Sequence, residues 1–358
     1  MIDSYVSRIF KFSGAGNDFV VLDGRQGGME PFREPARIGE LCKQYHTDGL
    51  MILTSAPTPA QSGKGSARAC RSGVSDSPRP VMAGFDGPSP YDFVMEFYNP
   101  DGSGGMMCGN GGRCIVAFAN YLGINPVNGH TYRFLAPDGE HTAEILSEGS
   151  DLSKPSLRDP SHSQRAEARL WAPPSFTAEG GHWFREVTTI RTWTVRLKMI
   201  DVQGITPIKD GLFLNTGTRH YVQFVDRVDS MDMETEAKPI RWDAAFQPEG
   251  TNVNLVEVRA DGLHVRTFEK GVEGETLACG TGLTACALAA YKARIPSQTG
   301  NAFPAGNTRL AQPRPGISYR LQCRRGDWLQ VDFQPGPNDT FTNIYLTGPA
   351  ELLVINPL

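Results

Sequence analysis

The chain has 358 residues, with 35 Lys and Arg against 39 Asp and Glu, and a formal net charge of −4. That length sets a prior of about two domains, and mixed charge without a basic stripe excludes a nucleic-acid surface. No apolar run reaches the ~18 residues of a membrane span, Met1-Ile2-Asp3-Ser4-Tyr5 has no signal-peptide pattern, and seven irregularly spaced cysteines without Cys-x-x-Cys form neither a disulfide framework nor a zinc ribbon; the expectation is a cytoplasmic enzyme with free thiols.

Along the chain, a strand, a glycine turn and a second strand occupy Ile9 to Leu22, with the second strand over 17–22. A helix is expected over 34–45, and further strands over 49–53, 92–98, 131–135, 194–200, 212–225 and 252–257. Helices follow at Cys114-Ile115-Val116-Ala117-Phe118-Ala119 and Ala285-Cys286-Ala287-Leu288-Ala289-Ala290. Residues 55–90 are rich in Ser, Pro, Gly, Ala and Arg, and 147–192 are similar but carry Trp171 and Trp183. Both read as insertions into surface loops. The pattern is α+β: two pseudo-symmetric domains, each a curled antiparallel sheet around a central helix, with the active site in the cleft between them. The expected division is 1–200, joined by a returning strand at 344–358, and 201–343.

Two domains are inferred from a repeat. Cys108-Gly109-Asn110-Gly111 and Cys279-Gly280-Thr281-Gly282 share the pattern Cys-Gly-x-Gly, and each runs into an apolar helix. Upstream of each, a strand breaks into a polar loop: Met95-Glu96-Phe97-Tyr98-Asn99-Pro100-Asp101-Gly102 and Val265-Arg266-Thr267-Phe268-Glu269-Lys270-Gly271. Earlier still, Leu212 to Val222 repeats the strand–glycine–strand pattern of Ile9 to Leu22. A duplicated unit of this size implies facing domains whose equivalent loops meet.

A glycine turn entering a helix leaves backbone N–H groups unpaired and pointing outward. A cysteine there sits at the positive end of the helix dipole, which favours thiolate. Cys108 and Cys279 are therefore read as an acid/base pair flanking a bound anion, most simply a carboxylate, with Gly109, Asn110, Gly280 and Thr281 holding it. A phosphate loop is the weaker reading, since neither copy continues to Gly-Lys-Ser/Thr. Cys114 and Cys286 are read as core, and Cys42, Cys70 and Cys323 carry no motif. Asn17, Asn99, Asn252, Glu269 and Lys270 lie in equivalent loops of the two halves and together suit a zwitterionic amino-acid head. His220 and Asp101 are outer candidates. No lysine motif for pyridoxal phosphate and no metal cluster is apparent, so no cofactor is expected.

At these residues the chain resembles the diaminopimelate epimerase family. The similar segments are Gly14-Ala15-Gly16-Asn17-Asp18-Phe19-Val20, Tyr98 to Gly102, Met107-Cys108-Gly109-Asn110-Gly111-Gly112-Arg113-Cys114, Gly250-Thr251-Asn252-Val253-Asn254 and Gly274 to Gly282. The resemblance implies a cofactor-independent isomerase that inverts an α-carbon of LL-diaminopimelate to give the meso form, in lysine and peptidoglycan precursor synthesis. It implies two catalytic cysteines, Cys108 and Cys279, and substrate-binding asparagines at Asn17, Asn99 and Asn252. The acid–base pair gripping the distal end falls on Glu269 and Lys270. The chain departs from the family at Lys270, where Arg is usual, and at Thr218-Arg219-His220, where Asn-Pro-His or Ser-Pro-His is usual. It also departs at Tyr45-His46-Thr47-Asp48-Gly49, a shortened turn. The alternatives are a proline-type or histidine-type racemase of the same architecture, a binding paralogue without activity, and a thiol redox protein. The expected partner is a small amino-acid substrate, with neither nucleic acid nor membrane; between monomer and homodimer the sequence does not decide.

Overall fold

Both cysteine motifs open helices that are buried almost throughout. Helix α2 (Gly109–Tyr121) buries every residue from Gly109 to Ala119, and α5 (Gly280–Lys292) buries all but one from Gly280 to Ala290. A helix that is apolar or small on all sides is stable only when surrounded. The surroundings are strands. The computed structural model describes residues 8–56, 89–104, 108–149, 191–297 and 316–357.

Within them the strands are β1 (Arg8–Gly14), β2 (Asn17–Asp23), β3 (Gly49–Ser55), β4 (Phe93–Tyr98), β5 (Thr131–Ala136), β6 (Gly139–Gly149), β7 (Arg191–Lys198), β8 (Val202–Gln203) and β9 (Thr206–Ile208). They continue with β10 (Gly211–Asn215), β11 (Arg219–Phe224), β12 (Asn252–Arg259), β13 (Gly262–Glu269), β14 (Gly274–Thr276), β15 (Ile317–Gln322), β16 (Trp328–Pro335) and β17 (Thr340–Pro357). The remaining helices are α1 (Pro35–Tyr45), α3 (Met233–Glu236) and α4 (Lys238–Arg241).

The duplication read in the sequence reappears in the pairing pattern. From β1 to β7 successive pairings run antiparallel, parallel, antiparallel, parallel, antiparallel, antiparallel. From β10 the same series repeats through β11, β12, β13, β15, β16 and β17. Cys108 lies between the fourth and fifth strands of the first series, and Cys279 between the fourth and fifth of the second. The first series closes on itself, because β17 pairs with both β7 and β1. The long strand β17 serves both series: Phe341 to Thr347 pair with β16, and Gly348 to Leu352 with β7.

The sheet is mixed. The expectation of purely antiparallel sheets is corrected by the parallel pairs β2–β3, β4–β5, β11–β12 and β13–β15. Parallel strands need covering on both faces, which explains the unbroken apolar run Leu50-Met51-Ile52-Leu53 in β3. One face of that strand meets α2. The other joins a cluster with Ile38, Leu41 and Tyr45 of α1. In the second half, Tyr221, Val253 and Phe268 pack outward on Met233 and Phe246, beside α3 and α4.

The expected strand over 212–225 is interrupted. Thr216-Gly217-Thr218 forms a turn between β10 and β11, with Gly217 at φ +108°, where a side chain is strained. The expected insertions also shrink at their edges: Ser55 closes β3, Ser147–Gly149 belong to β6, and Arg191–Thr192 open β7. Residues 57–88 and 150–190, with Trp171, Trp183 and Cys70, lie outside the described residues. Among the described residues, no helix is long and apolar enough to cross a membrane.

Candidate active site

The two helix N-termini abut. A methyl group placed on Gly109 would lie 3.4 Å from the Cα of Gly280, and one on Gly280 would lie 3.2 Å from the Cα of Gly109. Leu346 of the shared strand β17 closes the floor, its Cδ2 2.9 and 3.0 Å from the same two points. Only glycine lets the helix ends meet this closely. Cys108 and Cys279 are the N-caps of α2 and α5, and both are free thiols. The intrahelical ladders begin with Gly112 N–H to Cys108 O and Leu283 N–H to Cys279 O. The N–H groups of Gly109, Asn110, Gly280, Thr281 and Gly282 therefore lie outside the ladders, between the thiols.

Asn110 stitches the two halves together. Its Nδ2 donates to Asn17 Oδ1 and, at 3.1 Å, to the Ala278 carbonyl just before Cys279. Its Oδ1 accepts from Arg113 Nη2 at 2.9 Å. On the other side, Thr281 Oγ1 lies 3.4 Å from Cys279 Sγ and 3.0 Å from His220 Nε2. The hydrogen-bond directions behind His220 are set by its partners. Asn254 Nδ2 donates to the Tyr221 carbonyl at 3.0 Å and so also donates to His220 Nδ1, at 3.1 Å. Thr267 donates to Asn254 Oδ1. The proton of neutral His220 is thereby on Nε2, facing the hydroxyls of Thr281 and Thr218. Thr281 can accept from His220 and donate to Cys279.

Burial sets the electrostatics. It pushes the His220 pKa down to about 3, so this ring is neutral at physiological pH. It also overrides the expected helix-dipole effect on the thiols. Cys108 is raised, by burial first and by the Glu269 carboxylate, with partial offset from the Gly111 amide and Arg113. Cys279 is raised well above the ordinary thiol value, by burial and then Glu269, with partial offset from Thr281 and the nearby Gly282 amide. The expectation of a thiolate-favouring site is thus corrected: desolvation exceeds the half-charge of a helix end.

Glu269 ends β13 and lies beside Cys279. It accepts from Thr276 Oγ1 at 2.6 Å and bonds with the Cys279 thiol; burial raises its carboxyl. Lys270 follows it and is exposed. Its backbone N–H donates to Asn252 Oδ1 at 2.8 Å, while Asn252 Nδ2 reaches Thr218 Oγ1 at 3.3 Å. Asn99 is held differently. It bonds Ser103 within its own turn, and that turn packs on Pro35 and Gly39 of α1. Asp101 closes the same turn by accepting from Ser103. Arg219, beside His220, is turned outward onto Glu249 and the Phe213 ring.

Sequence reasoning missed Asn254 and Arg113. Asn254 stands two residues after Asn252 on one strand and so shares its face, a signal available from period two alone. Arg113 is a charge inside an otherwise small or apolar helical run, which is itself a flag.

The diaminopimelate epimerase family model matches residues 212–311. The diaminopimelate epimerase of Chlorobaculum tepidum is 32% identical over 343 residues, covering 94% of this chain and 96% of that protein. The chain belongs to the diaminopimelate epimerase family. The family's enzyme from Aquifex aeolicus is 33% identical over 350 residues, covering 95% of this chain and 93% of that one. The fold is shared more widely. A phenazine biosynthesis protein of the PhzF family from Bacillus anthracis superposes with a TM-score of 0.56 at 10% identity, over 99% of each chain. The whole-chain match to diaminopimelate epimerases means that the family's isomerase architecture extends beyond the cysteine loops.

Proposed function

We propose that this chain epimerises LL-diaminopimelate to meso-diaminopimelate by a two-base mechanism in which Cys108 and Cys279 are the bases, and that it needs no cofactor. The supporting observation is the pair of cysteine N-caps on two abutting helix ends. Substrate binding puts the α-carboxylate against the N–H groups of Gly109, Asn110, Gly280, Thr281 and Gly282. One cysteine, as thiolate, takes the α-proton and leaves the electron pair on the α-carbon, delocalised into the carboxylate. The N–H groups stabilise that charge in a cleft from which water is excluded. The opposite thiol gives its proton to the other face of the carbon, and the two sulfurs end with exchanged roles. Glu269, His220 and Thr281 govern the charge on the thiols. Asn17, Asn99, Asn252 and Lys270 remain the groups assigned to the rest of the substrate, with Asn99 needing to leave its turn.

The division into a domain of 1–200 with 344–358 and one of 201–343 is part of the same proposal, supported by the repeated pairing series. Chiral separation after incubation with LL-diaminopimelate, L-proline and L-histidine tests the substrate. Conversion of the first alone is expected. Faster inversion of either of the others would replace this reading with a racemase of the same architecture.

A further inference from the structure

The two thiol sites are not equivalent, and the difference is a buried cation. Arg113 lies five residues after Cys108, is fully buried, and forms no ion pair among the described residues. It donates to the carbonyls of Gly109 at 3.1 Å, Pro349 at 3.2 Å and Gly14 at 3.4 Å, and to Asn110 Oδ1 at 2.9 Å. The equivalent residue of the second half, five after Cys279, is Thr284, whose hydroxyl donates to the Gly280 carbonyl at 3.0 Å. Each side chain thus ties the same carbonyl in its own half, but one is charged and the other neutral. A hydroxyl suffices for that bond; the guanidinium adds the bonds to Pro349, Gly14 and Asn110 and a buried positive charge. A buried cation is costly unless an anion accompanies it.

The remaining charged and titratable groups around Arg113 are Cys114, Cys108, Cys323 and Asp327, the last engaged by Arg325. Cys114 and Cys323 are fully packed core thiols of the kind that stay protonated, whereas Cys108 caps the helix. Cys108 Sγ already accepts from Gly111 N–H at 3.2 Å, as a thiolate would. Cys279 makes no side-chain cap bond of that geometry, although the matching Gly282 amide lies near it, and it faces the Glu269 carboxylate, to which only a thiol can donate.

We propose that Arg113 is a positioning residue that makes Cys108, not Cys279, the thiolate of the pair before substrate binds, while its bond to Asn110 holds the two cysteine loops in register. The inference rests on the two-cysteine reading above, but its test does not require turnover.

The test maps iodoacetamide alkylation of each cysteine by mass spectrometry across a pH series, without substrate, in wild type, Arg113→Met and Arg113→Lys. Wild type is expected to alkylate Cys108 before Cys279. Arg113→Met should slow Cys108 alkylation at neutral pH about tenfold, the effect of a one-unit rise in thiol pKa, and leave Cys279 unchanged. Arg113→Lys should restore most of the rate. A merely structural role would move both thiols together and would not be rescued by charge. Alkylation of Cys279 first, or an unchanged Cys108 profile in Arg113→Met, overturns the proposal. If Arg113→Met does not fold, the wild-type order decides alone. Failure of the two-cysteine reading itself would appear separately, as retained turnover in a cysteine variant.

Discussion

At the scale of the residue, the site is governed by desolvation competing with hydrogen bonds. Both thiols cap helices, yet burial holds both above their ordinary range. A substrate carboxylate at the helix ends adds negative charge, so ionising one thiol must draw on the N–H groups and Arg113. If both sulfurs act as bases, Cys108→Ala and Cys279→Ala should each lower turnover by at least about 10²–10⁴-fold with unchanged circular dichroism; near wild-type turnover in either removes the mechanism. His220 gives a second expectation. Its folded pKa, about 3, lies below its ordinary 6.5. Between those values the unfolded chain binds a proton that the folded chain does not, so folding stability falls as pH drops from about 6.5 toward 3. His220→Gln should flatten that part of a urea-midpoint-against-pH curve. An equally steep curve in the variant would show that His220 is not its source.

Much of the site was legible at this scale because its residues belong to short local patterns. Cys108, Asn110, Cys279 and Thr281 sit in glycine turns whose geometry follows from sequence, and the structure brings them to one point. Glu269 was legible as an acid in a loop beside the cysteines, but not as a direct partner of the Cys279 thiol, since adjacency to Lys270 suggested a shared role. Glu269 is partly buried against Cys279 whereas Lys270 is exposed. Asn99 was read from its equivalence to the second half, but its turn is held locally by Ser103 and α1. Arg113 was hidden because its partners are carbonyls contributed by β1 and β17, at the two ends of the chain.

At the scale of the element, the site depends on two helices meeting end to end. Their apolar character was readable, and so were most strand positions. The parallel pairings were not, because a strand's own residues do not name its partner. The helix junction makes a sharp prediction. In Gly280→Ala the added methyl would lie 3.0 Å from Leu346 Cδ2 and 3.2 Å from the Cα of Gly109. Leu346 can rotate, but the facing backbone must shift, so the helix ends separate. A stability loss of about 1–3 kcal/mol is expected, together with a fall in kcat larger than any change in KM, because the N–H groups act most strongly on the developing charge. Thermal melts and steady-state kinetics on the same preparation would check this, and unchanged kcat would mean that the junction tolerates displacement.

At the scale of the whole molecule, the repeated pairing series and the shared strand β17 hold the two cysteine loops against each other. Asn110 and Arg325 add to this: Arg325 reaches Ser13 and Glu351 in the first half while its backbone N–H bonds the Leu277 carbonyl. Facing thiols held this way should be open to oxidation across the junction. Treatment with a mild oxidant should inactivate the protein, and reductant should restore it. Peptide mapping should then find a Cys108–Cys279 link, and reversible inactivation with no such link in the peptide map would exclude it as the cause.

The central claim is that one sulfur removes a proton while the other delivers a different one from the opposite face. Incubation with LL-diaminopimelate in deuterated water tests this most directly, by following α-deuterium in substrate and product early in the reaction. Thiols exchange with solvent, so meso-diaminopimelate should carry deuterium at the inverted carbon while recovered LL-diaminopimelate carries almost none. Deuterium entering the recovered LL form as fast as the meso form would mean that a single base returns protons to both faces, and would contradict the account.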